Sequence, residues 1–453
     1  MTGLTALRGR LAPRSLAPLR HRGFRFLAGG QLASNIGDAC YAVALPWYVL
    51  AEHGGVLLLG TVLVAYGVPR TVLLAVGGHA SDRWRPWTVM MSTDVLRALA
   101  AGALAVAAAL GPARAAILVP IAVLLGAGEG MFLPGSFAIV PALLPDEDLQ
   151  AGNALASSGT QLATLAGPAI GGALVAFLGP SPAFALDAAS FAVSAVTLLG
   201  VRAAERPALV APVPAAPEPG RGTGTPTLRR MLRTERILQI ILLVNITANL
   251  GFGGMSDVAL PALAHGPLHA GASGYGGLIA AFGAGALVGT LAAGQVRRAR
   301  RPAIVGSVVF LGEALFLAVI PYLGGTLAAG AALIAFGATN GFGNVVMITT
   351  FQRWAPPAAL GRLTGLLMLT SFGVFPISVA LGALVVHDLG PAPFFPLAAA
   401  GLAVAILVGL TQRTWRDFGV SLPAGTGPVA RHVPGASRPD AAAPAAPAAG
   451  GAA

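Results

Sequence analysis

Gly78-His79-Ala80-Ser81-Asp82-Arg83-Trp84-Arg85-Pro86 closes the second of twelve apolar stretches, and Gly294-Gln295-Val296-Arg297-Arg298-Ala299-Arg300-Arg301-Pro302 closes the eighth. The glycine, the second-last arginine and the proline align at an offset of 216 (78 to 294). Gly172-Ala173-Leu174 and Gly382-Ala383-Leu384 align at 210 (172 to 382). Two similar offsets at matching places in matching stretches point to a duplicated unit of six stretches. Parallel six-span repeats with a site at their interface are a transporter plan.

Working outward, the stretches run over about 26–50, 55–80, 87–110, 115–138, 152–178, 183–203, 236–262, 273–295, 303–324, 326–350, 362–387 and 391–412. Each is near the ~20 residues that cross ~30 Å of hydrocarbon. Of the 453 residues, 55% are hydrophobic and 10% charged, with a mean hydropathy of +0.77. Soluble domains carry about a quarter charged residues, so a soluble enzyme, a disordered chain and a nucleic-acid-binding domain are excluded as first readings. The expected fold class is all-α: a membrane protein of twelve transmembrane helices in two six-helix halves.

The net charge of +11 is carried by arginine, since the chain has no lysine. Arg8, Arg10, Arg14, Arg20, Arg22 and Arg25 precede the first span, Arg83 and Arg85 follow the second, and seven arginines from Arg202 to Arg236 lie between the sixth and seventh. Further arginines follow the eighth, tenth and twelfth spans, whereas only Arg114 falls on the other side. Arginine-rich loops stay in the cytoplasm, so both termini are expected there, in a multi-pass protein of the cell membrane. The expected organisation is a basic N-terminus (1–25), a first half (26–203), a Pro/Ala/Gly/Arg-rich linker (204–235), a second half (236–412) and a low-complexity tail (413–453). The tail has the composition of a disordered segment. The one cysteine, Cys40, cannot form an internal disulfide. No metal site and no cofactor is expected, and without lysine no P-loop is possible.

Several segments together resemble the major facilitator superfamily, and within it the branch of enterobactin exporters and macrolide efflux proteins. Gly78-x-x-x-Asp82-Arg83 is similar to the superfamily's loop 2–3 signature, Asp94-x-x-Arg97 to the branch's D-x-x-R, and Phe132-x-Pro134, Pro141, Leu149 and Asn153-Ala154 to its span 4–5 segment. Gly167-Pro168-Ala169-Ile170-Gly171-Gly172 resembles the antiporter motif. Asp187-x-x-Ser190-Phe191, Tyr275-Gly276 with Gly283, Gly285 and Gly289, and Gly361-Arg362 resemble spans six and eight and loop 10–11. The chain departs from the pattern at Trp84-Arg85-Pro86-Trp87, where a glycine and basic run are usual, and at Ala163, where the antiporter motif has glycine.

Ions inside spans are costly, at ~2.5–3.5 kcal/mol on insertion scales, and mark function by default. Asp38 and Arg70 share a depth of ~15–18 Å on consecutive helices, so a contact between them is expected, either a permanent pair or a functional one. Glu129 lies near mid-depth in span four, and a carboxylate there can bind a proton and a cationic cargo in turn. Asn245 with Asn249, and Asn340 with Asn344, are i,i+4 pairs, each on one helical face. The resemblance implies that spans 1, 4, 7 and 10 line a central cavity holding Asp38, Glu129 and the asparagines. It also implies a gating role for Gly78, Asp82 and Arg83, and an antiporter role for Gly167, Pro168, Gly171 and Gly172. Glu313, on a peripheral span, reads as structural or interfacial, Asp94–Arg97 as a structural pair near the cytoplasmic surface, and Asp187, Asp257 and Asp388 as lying near wetted outer ends.

The functional expectation is alternating-access efflux of a small amphipathic molecule (drug, siderophore or secondary metabolite) by proton antiport. The expected partners are the substrate, protons and the bilayer, without nucleic acid, and the chain is expected to act as a monomer. The alternatives are an importer or uniporter of a small metabolite, and a transporter-like membrane protein that does not transport. An enzyme is not expected.

Overall fold

The computed structural model describes residues 14–52, 54–204, 228–295 and 300–420. Those residues are built from twelve long helices: α1 (Arg22–Ala51), α2 (Gly55–Arg83), α3 (Pro86–Leu110), α4 (Ala115–Leu143), α5 (Asp146–Leu178), α6 (Pro180–Ala204), α7 (Arg236–Gly254, continued to His265), α8 (Gly271–Gln295), α9 (Pro302–Val319), α10 (Thr326–Trp354), α11 (Pro357–Leu389) and α12 (Phe394–Thr411). Eleven are long and apolar enough to cross a membrane. The exception, α1, has 30 residues but is diluted by Gln31, Asn35 and Asp38.

The duplication suggested by the sequence is visible in the helices. α4 and α10 each have 29 residues, and α5 and α11 each have 33. Both pairs begin 211 residues apart, 115 to 326 and 146 to 357. α5 and α11 end alike, at Gly179 and Gly390, both with φ +82°, where a side chain would be strained. Prolines open α3 and α9, a position whose N–H has no helical partner to lose. The packing repeats as well. α1 lies on α5 and α6 as α7 lies on α11 and α12, and α4 lies on α2 and α3 as α10 lies on α8 and α9. The halves meet mainly through two corresponding pairs, α2 with α11 and α5 with α8.

Small residues make these crossings possible. Lipid tails are as apolar as leucine, so helices associate through close van der Waals contact and polar bonds. A Cβ on Gly171 would lie 2.8 Å from Cys40 Cα, and one on Gly382 would lie 2.9 Å from Gly254 Cα. Gly126 and Gly130 rest directly on the backbone of Tyr66 and Arg70. α7 carries one irregularity, a π turn over Met255–Ala259. Just before it, the Gly254 N–H donates to Ser378 Oγ at 2.7 Å, and that hydroxyl donates to the Leu250 carbonyl at 2.5 Å.

Short connections make consecutive helices antiparallel within each half, and α2 and α11 pack antiparallel across the halves (Gly60 on Ala383, Gly67 on Phe375), so Arg22, Arg85, Arg202, Arg236, Arg300, Arg353, Arg362 and Arg413 fall on one face, termed the basic face. The two halves touch toward the opposite face. There Gly172 of α5 meets Gly276 of α8, Gly60 of α2 meets Ala383 of α11, and the Trp47 and His265 rings sit 5.2 Å apart. Toward the basic face the same helices part. Asn153, Ser157, Ser158, Thr160 and Gln161 of α5 are exposed, as are Gly361, Arg362 and Gly365 of α11. The molecule holds a cleft closed at the opposite face and open at the basic one.

Candidate functional site

Six ionisable side chains of the first half converge at mid-depth. Arg70, 13 residues before the end of α2, lies ~20 Å from the basic face, and Glu129, 14 residues before the end of α4, lies ~21 Å from it. Glycines at 126 and 130 let α4 approach α2 closely, and Arg70 Nη2 meets Glu129 Oε1 at 2.7 Å. The guanidinium also lies 4.5 Å from the centroid of Phe372, on α11 of the other half, and 5.7 Å from that of Tyr66. A cation over a ring face is attracted by its quadrupole, so Arg70 binds α4 through charge and α11 through a ring.

Arg97 forms the second centre. Its Nη2 donates to Asp94 Oδ1 at 2.7 Å, and its Nη1 stands 3.9 Å from Asp38 Oδ2. Phe191 and Phe132 lie 4.1 and 4.6 Å from the guanidinium carbon. Gly128 leaves room for the Arg97 stem, since a Cβ there would fall 2.6 Å from Cγ. Asp94 and Arg97 are 0% and 3% exposed, while Asp38 is 45% exposed. Asp38 thus ties an enclosed pair to open space. Asp187 of α6 is buried against Gly37 of α1, and its Oδ1 has no hydrogen-bond partner among the described residues.

Three expectations change here. Asp38 and Arg70 do not pair with each other: Arg70 takes Glu129 and Arg97 takes Asp38, because the α2–α4 and α1–α6–α3 contacts turn the two arginines toward different neighbours. Asp94–Arg97 is not a surface pair, since α3 begins at Pro86 and places Arg97 ~16 Å into the bundle. Asp187 is not at a wetted end. It is 15 residues before Arg202, ~22 Å from the basic face, and buried. Asp94, Arg97 and Asp187 therefore join the cluster, although the sequence pattern alone assigns them to other places. The rise per residue was enough to find their depth, but not the faces they occupy.

In the second half, amides take the place of ions. Asn245 Nδ2 donates to Thr370 Oγ1 at 3.0 Å and Ser371 Oγ at 3.1 Å, which ties α7 to α11. Asn249 Nδ2 donates to the Asn245 carbonyl at 2.8 Å and to Ser371 Oγ at 3.3 Å. Asn340 Nδ2 donates to Glu313 Oε1 at 3.0 Å, and Asn344 Nδ2 to Asn340 Oδ1 at 3.2 Å. Much of their capacity thus goes to helix neighbours, while Asn344 remains exposed. In the antiporter-like segment, Gly167 and Gly171 face Ala39 and Cys40 of α1, and Gly172 and the Pro168 carbonyl face Gly276 of α8. Gly78, Asp82 and Arg83 end α2 in helical backbone, and their side chains lie outside the described residues.

Among the described residues no group of three or more His, Cys, Asp or Glu could hold a metal ion. A family model described as transmembrane secretion effector, of the major facilitator type, matches residues 13–423. The chain is 28% identical over 401 residues to the enterobactin exporter EntS of Citrobacter koseri, covering 86% of this chain and 91% of that protein. It is 27% identical over 368 residues to the multidrug efflux pump Tap of Mycolicibacterium fortuitum, covering 77% and 86%. A bacterial homologue of the iron transporter ferroportin, solved in an inward-facing state, superposes with a TM-score of 0.66 at 18% identity, covering 87% of this chain and 99% of that one. The last likeness is one of fold. With its duplicated six-helix halves and a match over nearly its whole length, the chain belongs to the transmembrane secretion effector family of major facilitator proteins: it is a membrane transport protein and not an enzyme.

Proposed function

We propose that this protein exports a small amphipathic molecule across the cell membrane by proton antiport, using alternating access. The observation that carries this reading is the mid-depth cluster. Four carboxyl groups (Asp38, Asp94, Glu129 and Asp187) share two guanidiniums (Arg70 and Arg97) beside a cleft open at one face. Fully ionised, the cluster would hold two more negative than positive charges, and low dielectric makes such an excess costly. Protons or a cationic cargo offset it. Glu129 is the coupling carboxyl and Asp38 the second, the one nearer the open cleft.

Arg70 links this chemistry to motion. It contacts Glu129 in its own half and Phe372 across the interface. A proton on Glu129 weakens its hold on Arg70 and loosens the link between α2 and α11. The Gly172–Gly276 and Gly60–Ala383 contacts form the outer seal, and the helix end carrying Gly78, Asp82 and Arg83 is the gate at the basic face. That face is cytoplasmic by the arginine rule, with both termini inside. Residues 26–203 and 236–412 form the moving halves, joined by the linker 204–235, and the monomer is the working unit. Export, rather than import or uniport, is supported by the similarity to an enterobactin exporter and a multidrug efflux pump.

Proteoliposomes carrying a pH gradient provide the test. Adding a transported amphipathic compound should release protons stoichiometrically, and Glu129→Gln should abolish both the release and the uphill movement of the compound. Uphill movement driven by the gradient in Glu129→Gln would refute the assignment.

A further inference from the structure

A cavity of about 320 Å3 lies within the second half, walled by α7, α9, α10 and α12. Its lining is largely apolar and includes five aromatic side chains, Phe252, Phe310, Phe336, Phe351 and Trp415. Trp415 belongs to the short segment after α12. Its indole N–H donates to Ser307 Oγ at 3.0 Å, which fixes the ring. The one ionisable group in the lining is Glu313.

Glu313 is 4% exposed. Its Oε1 accepts from Asn340, and its Oε2 has no hydrogen-bond partner among the described residues. None of the ion pairs among the described residues includes it, and the lining contains no arginine or histidine. The arrangement is the reverse of the first half, where each of Arg70 and Arg97 is matched to carboxylates. Here a carboxylate shares an apolar cavity with five aromatic side chains, and the lining supplies no cation. The amide chain Asn344–Asn340–Glu313 leads from the exposed Asn344 to the buried oxygen. Aromatic faces and a lone carboxylate recognise one chemical class in common, an organic cation with an apolar body.

We propose that Glu313 and the surrounding rings bind the cationic head of the cargo, which makes amphipathic organic cations the substrate class. Glu313 is then a binding residue rather than the structural or interfacial group its peripheral helix suggests. This inference rests on the transport reading above and deepens it.

The test is equilibrium binding to the purified full-length protein of benzyltrimethylammonium, whose charge is permanent, and of neopentylbenzene, its neutral isostere. Wild type should bind the cation at least about tenfold more tightly than the isostere, and Glu313→Gln should remove that preference. Asn344→Asp places a second carboxylate at the mouth and should tighten binding by about threefold or more, a gain that misfolding cannot mimic. Equal binding of the two probes, no binding of the cation, or unchanged affinity in Glu313→Gln would overturn the proposal. Should Glu313→Gln fail to fold, Asn344→Asp decides: tighter binding supports the site and unchanged binding overturns it. Proton release in the same preparation separates the two readings. Glu313-dependent binding without coupled transport defeats antiport and leaves this site standing. Coupled transport with unchanged benzyltrimethylammonium affinity in Glu313→Gln defeats this site and leaves antiport standing.

Discussion

The two halves share a backbone plan and differ in what they place at its centre. In the first, Arg70 and Arg97 each sit against a carboxylate at 2.7 Å and against aromatic rings. In the second, the positions facing inward carry asparagines, and the single buried carboxylate among the described residues, Glu313, meets an amide instead of a guanidinium. A duplicated scaffold thus carries two different polar centres. One half holds its helices around matched charge, and the other around amides and a single buried carboxylate. Arg70 over Phe372 joins them.

Mutations can break or sharpen this contrast. The largest expected effect is at Arg97. Arg97→Leu leaves Asp94 charged and enclosed, and breaking a buried pair in this way costs about 3–5 kcal/mol. Thermal melting of the purified protein should fall sharply, and Asp94→Asn combined with Arg97→Gln should recover part of the loss. Next is the outer seal. Gly276→Val places a branched side chain against Pro168 and Gly172, where the glycine is already in backbone contact. It should shift the population about tenfold, or about 1.4 kcal/mol, toward a state open at the opposite face, read as a longer spin-label distance between α5 and α8. The smallest effect is at Asn245. Asn245→Ala removes amide bonds between α7 and α11, each worth ~0.6 kcal/mol in membranes, and should lower the melting temperature only slightly. A loss at Asn245 as large as that at Arg97 would erase the distinction between an ionic half and an amide half.

Much of this architecture is legible in the residues, and the limits have a physical origin. Apolar length gives the spans and arginine placement gives one basic face, because both depend on averages over many residues. The duplication shows in two short matches, and the equal lengths of α4 and α10 and of α5 and α11 extend it. Depth was also available: counting from the helix ends puts Asp38, Arg70, Arg97, Glu129 and Asp187 in one band. Which of them touch is another matter. A rotation of 100° per residue means that a small change in how α2 meets α4 decides whether Arg70 reaches Asp38 or Glu129, and that contact is set by Gly126 and Gly130 seated on a neighbouring backbone. The burial of Glu313 was hidden for the same reason. A peripheral helix still has an inward face, and hydropathy alone does not tell which residue occupies it.

The central claim is that the mid-depth charges border a wet passage entered from the basic face. Cys40 is buried and is the one cysteine, so Cys40→Ser provides a clean background for Asp38→Cys. In vesicles of known orientation, a membrane-impermeant thiol reagent should label that position from the cytoplasmic side and leave it unlabelled from outside, with labelling reduced when the cleft is driven to open outward. Failure to react from either side, or reaction only with a lipid-soluble maleimide, would contradict the account.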